Sequence, residues 1–258
     1  MSARVALATG AGRGIGRAIA TRLARDGFAV AVNSLKAGSA DRVAAEIRSQ
    51  GGDAAAFPAD VADADAVDAM VGAVEAWRGA PAILVANAGI LEMAPFDQLP
   101  LAVWHRIVDV NLGGSLWCIR RVAPAMLEIG WGRIILISSI WGVVGVAGAT
   151  HYGASKAGQV GLAAALGAEL GPRGVSVAAV VPGVIDTEQL AADAAFAGEP
   201  LDALRARYAR DALAGRVGSP SEVAAVVAHL ASDAGGAFNG QAIAITGGRT
   251  EPAMRAGT

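Results

Sequence analysis

A chain of 258 residues with a formal net charge of -2 and a sequence pI near 5.9 carries no basic footprint for nucleic acid or for an anionic membrane, and neither partner is expected. Apolar residues make up 54% and mean hydropathy is +0.46. That apolarity is mostly Ala and Val in runs broken by Gly, Pro or charge, none near the ~20 residues of a membrane span. The single cysteine, Cys118, excludes an internal disulfide or a cysteine metal cluster, and with no leader pattern at the N-terminus a reducing cytoplasm is the expected location.

In chain order, the apolar run "VALAT" leads through the glycine-rich "TGAGRGIG" (Thr9 to Gly16) into a helical stretch over 15–26. "FAVAVN" and a helix over 39–50 follow, then a third strand ending at Asp60, a helix over 63–77, and "AILVANAG". The second half predicts a long helix over 100–128, "RIILISS", a helix over 152–171, "VSVAAVV", a helix over 219–232 and "QAIAITGG". Strand and helix in alternation predict a doubly wound α/β fold, with a seven-stranded parallel sheet covered by helices on both faces and one domain over residues 1–258. Residues 184–215 stand outside that rhythm. They are helical in composition but interrupted by "AGEP", and an insertion after a strand end is where α/β proteins place a substrate lid. The tail "RTEPAMRAGT" runs past the pattern, left between contact with a neighbouring subunit and disorder.

Two short motifs carry chemistry. Glycines after a first strand let the backbone approach a pyrophosphate, and the N–H groups of the following helix attract its charge, although such a turn also serves as a plain tight connection. In "HYGASKAG", Tyr152 and Lys156 are at i and i+4 and share a helix face. They are one of two tyrosines and one of only two lysines in the chain. A phenol of pKa near 10 becomes a usable acid or base when a neighbouring ammonium favours its phenolate, whereas a surface Tyr/Lys pair would merely pack its stems. His105, His151 and His229 lack metal-ligand spacing, so no metal is expected.

The ordered context weighs against the bland readings. Gly10, Gly14 and Gly16 fall as TGxxxGxG, which resembles the fingerprint of the short-chain dehydrogenase/reductase family, a Rossmann fold. "ANAG" resembles that family's NNAG with Ala86 in place of the first Asn, "PGVIDT" (Pro182 to Thr187) resembles its PG motif, and "RVGSPSEVAAVVAHLASD" completes a likeness running from Val5 to Gly248. The resemblance implies a catalytic set of Asn111, Ser139, Tyr152 and Lys156. Ser139 would hold the substrate carbonyl, Tyr152 would protonate it, and Lys156 would bind the nicotinamide ribose and lower the Tyr152 pKa. Asn111 would hold the helix geometry and a relay water. A nicotinamide nucleotide is implied along Gly10, Arg13, Gly14, Ile15, Gly16, Ser34, Lys36, Asp60, Val61, Asn87, Ala88, Gly89, Tyr152, Lys156, Pro182, Gly183, Ile185 and Thr187. With no carboxylate at the second strand end near Ser34, and with Arg13 and Lys36 close by, NADP is favoured, NAD remaining possible.

For the substrate, Ile90, Leu91, Met93, Trp141, Val143 and Leu190, together with Ser139, predict a pocket for a small hydrophobic ketone or secondary alcohol. Reduction of a 3-oxoacyl group on an acidic carrier protein or CoA is the alternative, and would want basic residues at the site's mouth. The loop before strand five reads "MLEIGWG", with Glu128 and Trp131, although Arg120, Arg121, Arg133 and Arg173 are available. The balance leans to a free small molecule. A non-catalytic NADP-binding sensor is a remote alternative, which would have no need of the acid/base set. Small residues along "YGASKAGQVGLAAALGAELG" allow close helix approach, and the family resemblance implies a homo-oligomer, tetramer or dimer.

Overall fold

The computed structural model describes residues 3–248. Seven parallel strands form its sheet: β1 (Val5–Ala8), β2 (Ala29–Val32), β3 (Ala54–Ala56), β4 (Pro81–Ala86), β5 (Gly132–Ile137), β6 (Val175–Pro182) and β7 (Ala242–Ile245), in the order β3-β2-β1-β4-β5-β6-β7. The sequence runs read as continuous apolar stretches because helices cover both faces. β1, β2, β5 and β6 are buried along their whole length.

Side chains alternate across the sheet. Ala6 and Ala8 of β1 pack with Ile19, Leu23, Val43, Ile47, Val227 and Leu230, while Val5 and Leu7 pack with Val67, Val71, Val74, Cys118, Val122 and Met126. One face therefore carries α1 (Gly14–Arg25), α2 (Ala37–Ser49) and the C-terminal helix over Pro220–Ala231; the other carries α3 (Ala64–Arg78) and the helices between β4 and β6. β1 pairs with both β2 and β4, so connections leave it in opposite directions and open a crevice above the C-terminal strand ends.

The predicted helix over 100–128 resolves into α4 (Leu101–Val108), a wider π turn over Asp109–Gly113, and α5 (Gly114–Ile129). The Asn111 carbonyl, freed from ordinary helix bonding, accepts from Ser115 Oγ at 2.8 Å and Gln159 Nε2 at 2.9 Å. After β5 comes α6 (Thr150–Leu170), and residues 184–215 hold α7 (Gln189–Ala197) and α8 (Leu201–Asp211), parted at Gly198, whose φ is 67°. The helix over Pro220–Ala231 is α9. The tail after Gly248 lies outside the described residues, among which no helix is long and apolar enough to cross a membrane.

Candidate active site

The glycine turn sits where β1 meets β4. A Cβ on Gly10 (φ 61°) would stand 2.6 Å from the Ala88 Cα, and one on Gly16 would collide with the Gly10 carbonyl and Asn87 Nδ2. Thr9 Oγ1 accepts the N–H groups of Asn87 and Ala88, each at 3.0 Å, and Asn87 Nδ2 donates to the Thr9 and Gly10 carbonyls at 2.9 and 3.1 Å. Arg13, preceding α1, supplies no side-chain cap, so the first-turn N–H groups of α1 have none.

From this turn a cavity of ≈ 660 Å³ runs along the C-terminal strand ends, a volume within the range of small-molecule and cofactor sites. Every residue expected to hold the nucleotide is on its wall. Gly10, Arg13, Gly14, Ile15 and Gly16 lie near Ser34 and Lys36; Asp60 and Val61 follow β3; Asn87, Ala88 and Gly89 follow β4; Pro182, Gly183, Ile185 and Thr187 follow β6. Asp60 stands four residues past the end of β3, with Oδ1 accepting from the Ala62 N–H at 3.0 Å. Between Asn33 and Ser39 the wall holds no acidic residue, and both Arg13 and Lys36 are exposed there. The close approach of backbone at Gly10 and Gly16, the open helix end and a cavity lined from the glycine turn to Lys156 fit a dinucleotide.

At the far end Ser139, Tyr152 and Lys156 converge on the same wall. Ser139 follows β5 in extended backbone, and its Oγ accepts from the Trp141 N–H at 3.2 Å. Tyr152 and Lys156 occupy successive turns of α6, with Lys156 Nζ 5.6 Å from the Tyr152 ring centroid. Ser138 Oγ donates to the Lys156 carbonyl at 2.7 Å and so holds α6 against β5. Asn111 is fully buried behind them: Oδ1 accepts from the Ile90 N–H at 2.8 Å, and Nδ2 donates to the Ile90 carbonyl and to Ser155 Oγ, both at 3.1 Å.

Burial governs both ionisable groups. It pushes the Tyr152 phenol up to about 12, against the lowering effect of a hydrogen bond with Ser139 and with a further rise from the charge of Asp193. It pushes Lys156 down to about 7. In the protein by itself burial outweighs any lowering of the tyrosine pKa, and Lys156 Nζ donates to the Ile137 carbonyl at 2.8 Å and to Gln159 Oε1 at 3.2 Å.

Of the expected pocket residues, Leu91, Trp141 and Leu190 line the cavity together with Ile90. Met93 and Val143 do not. Val143 ends the short turn after Ser139 and is 62% exposed, and Met93 packs behind the wall with Ile140, Trp141 and Ala149. The segment with Glu128, in the last turn of α5, and Trp131 enters β5 at the end of the sheet remote from the site, about 20 Å away for six residues of strand. Arg133 and Arg173 also lie at that end: Arg133 is buried and bonded to the Ser232 and Asp233 carbonyls, and Arg173 precedes β6. Arg121 pairs with Asp68 and Glu75, and Arg120 is exposed on α5. Besides Arg13 beside the glycine turn, the cavity wall carries Arg106.

Three polar residues escaped the sequence reading. Asn33 accepts from the Gly10 N–H at 3.3 Å and donates to the Phe57 and Ala59 carbonyls at 3.0 and 3.2 Å, joining the ends of β1, β2 and β3. Gln159 links Lys156 to Asn111 and Ser115. Asp193 lies on the wall beside Leu190. The only signal for each was a lone polar residue in an apolar segment.

Comparison with known proteins now decides the family. The short chain dehydrogenase family model matches residues 4–196. The chain belongs to this family. It is 40% identical over 246 residues to the 3-oxoacyl-[acyl-carrier-protein] reductase FabG of Staphylococcus aureus, covering 94% of this chain and 96% of that protein. It is 39% identical over 248 residues to cis-4-hydroxycyclohexanecarboxylate dehydrogenase of Sinomonas cyclohexanicum, covering 96% of each. Among solved structures, actinorhodin polyketide ketoreductase with NADPH superposes with a TM-score of 0.93 at 35% identity, covering 97% of this chain and 98% of that one. The protein is an oxidoreductase of the short-chain dehydrogenase family, whose members bind NAD(P).

Proposed function

We propose that this chain is an NADP(H)-dependent reductase that interconverts a ketone of largely apolar body with its secondary alcohol. The observation that carries the reading is the meeting of Ser139, Tyr152 and Lys156 at one end of a dinucleotide-length cavity whose other end is the glycine turn. The bound nicotinamide supplies the hydride. Tyr152, whose high pKa keeps the phenol protonated at neutral pH, gives its proton to the carbonyl oxygen as negative charge develops there. Ser139, whose Oγ accepts from the Trp141 N–H, turns its hydroxyl hydrogen from Tyr152 to the same oxygen when the carbonyl binds. Lys156 binds the ribose and sets a positive charge beside the phenolate left after proton transfer. Asn111 holds the Gly89–Ile90 backbone and the wide helix turn in place. Residues 184–215 serve as a lid through α7, which contributes Leu190 to the wall, and the exposed small-residue face of α6, with Gly158 and Gly161, serves as a contact between copies.

NADP is favoured by the cations Arg13 and Lys36 and by the absence of an acid from Asn33 to Ser39 on the wall. Arg13→Ala is expected to raise the Kd for NADPH about 10- to 100-fold, the range of one charge-assisted hydrogen bond, and to leave NADH within about 3-fold. Fluorescence titration with both nucleotides checks it, and equal loss for both contradicts it.

Lys156 gives a pH prediction. Its pKa lies near 7 in the folded protein, against an ordinary value of 10.5, so between the two the unfolded state holds a proton that the folded state has released, and stability attributable to this position rises with pH. The melting temperature of the wild type, relative to Lys156→Met, is expected to climb between about pH 7 and about pH 9.5. A gap independent of pH would place the ammonium in a water-like setting.

A second reading, reduction of a 3-oxoacyl thioester, is supported by the staphylococcal relative and by Arg106 on the cavity wall. Rates with a free ketone and an acetoacetyl thioester separate the two.

A further inference from the structure

Asp193 is 8% exposed and sits on the cavity wall one helical turn after Gln189 and Leu190. A carboxylate removed from water to this degree ordinarily has a cation or several donors as company. Here it has one neutral donor, Gln189 Nε2, at 3.0 Å from Oδ1, and no ion pair among the described residues. The same end of the cavity is otherwise walled by Ile90, Leu91, Trp141 and Leu190. Asp193 and Tyr152 share this cavity wall, and the charge of the carboxylate opposes ionisation of the phenol. Burial raises its own pKa, as expected for an acid short of partners.

The tyrosine chemistry gives this group nothing to do: a proton donor needs no second acid opposing its ionisation. A bound molecule bringing a hydrogen-bond donor or a positive charge supplies what the carboxylate lacks, and a molecule bringing its own carboxylate meets like charge there. We propose that Asp193 selects the substrate. The ketone carries a hydroxyl or a protonated amine on the carbon skeleton beyond its carbonyl, and ketones with a carboxylate in that place are rejected. This rests on the reductase reading and narrows its substrate class from any ketone of apolar body to amino- and hydroxy-ketones.

The test is a set of cyclohexanones that share one skeleton and carry methyl, hydroxyl, ammonium or carboxylate at C3 or C4, assayed with NADPH against the wild type and Asp193→Asn, which keeps the side-chain shape and the bond from Gln189. In the wild type, kcat/KM is expected to be about 10-fold or more higher for the ammonium and hydroxyl ketones than for methyl, with carboxylate lowest. In Asp193→Asn the ammonium-to-methyl ratio falls at least about 10-fold, the hydroxyl-to-methyl ratio falls less, and the carboxylate-to-methyl ratio rises. Ratios that are the same in both proteins, or a wild type that prefers carboxylate, overturn the proposal. Calorimetric titration of the corresponding alcohols into Tyr152→Phe with NADP+ reads the same order without turnover. Ordered binding without reduction of any ketone would therefore strike the reductase reading alone, and reduction without the order would strike the role of Asp193 alone.

Discussion

Tyr152→Phe is expected to lower ketone reduction by about 100- to 10,000-fold, the usual contribution of a positioned acid, with the Kd for NADPH within about 3-fold of wild type. The ring packs edge-on to Trp141 with centroids 6.1 Å apart, and phenylalanine preserves that contact. What is lost is the hydroxyl alone, with its hydrogen bond to Ser139. Steady-state rates and a nucleotide titration on the same preparation check it. Residual turnover above about a tenth of wild type would show that the proton comes from elsewhere.

Asn111→Leu is expected to damage stability and turnover together. The substitution keeps the branched outline of the side chain, at a larger volume, and removes every partner of the Ile90 N–H and carbonyl that the side chain provides. Each buried polar group left unpaired costs about 1–3 kcal/mol, so two cost roughly 2–6 kcal/mol out of a total that for a domain is only about 5–15 kcal/mol. A fall in melting temperature on the order of 5–20 °C follows for a protein of this size. Turnover falls as well, because Gly89 lies against both Asn111 and Lys156: a Cβ built there would be 3.3 Å from Asn111 Oδ1 and 3.4 Å from Lys156 Nζ. Thermal denaturation and NADPH oxidation by the variant measure both. A loss of less than about 1 °C would mean that Ile90 finds other partners.

The fold was legible because its signals are local. Each strand is a run of three to eight residues, and both the glycine turn and the Tyr152/Lys156 pair lie within one turn or one helix. What the sequence left out comes from packing between distant segments. Gln159 has meaning only because the π turn offers it the Asn111 carbonyl, 48 residues away, and Asn33 only because three strand ends meet at it. Val143 was misplaced because a run of apolar letters after Ser139 does not reveal that a short helical turn swings its end into solvent. The loop before β5 was misread because proximity to a strand does not tell which end of a parallel sheet a loop serves. Asp193 sat in plain view in an alanine-rich segment, but its burial depends on how α7 folds over the crevice.

The measurement that bears most directly on the central claim is NADPH consumption by the purified protein with aryl and alkyl ketones, keto sugars and an acetoacetyl thioester, with product analysis for the secondary alcohol and Tyr152→Phe as the blank. NADPH oxidation matched by alcohol formation is expected, faster with free ketones of apolar body than with the thioester or with sugars, whose many hydroxyls exceed the single partner that Asp193 offers, and absent from the blank. Tight NADPH binding without reduction of any of these carbonyl compounds, or consumption undiminished in Tyr152→Phe, would contradict it.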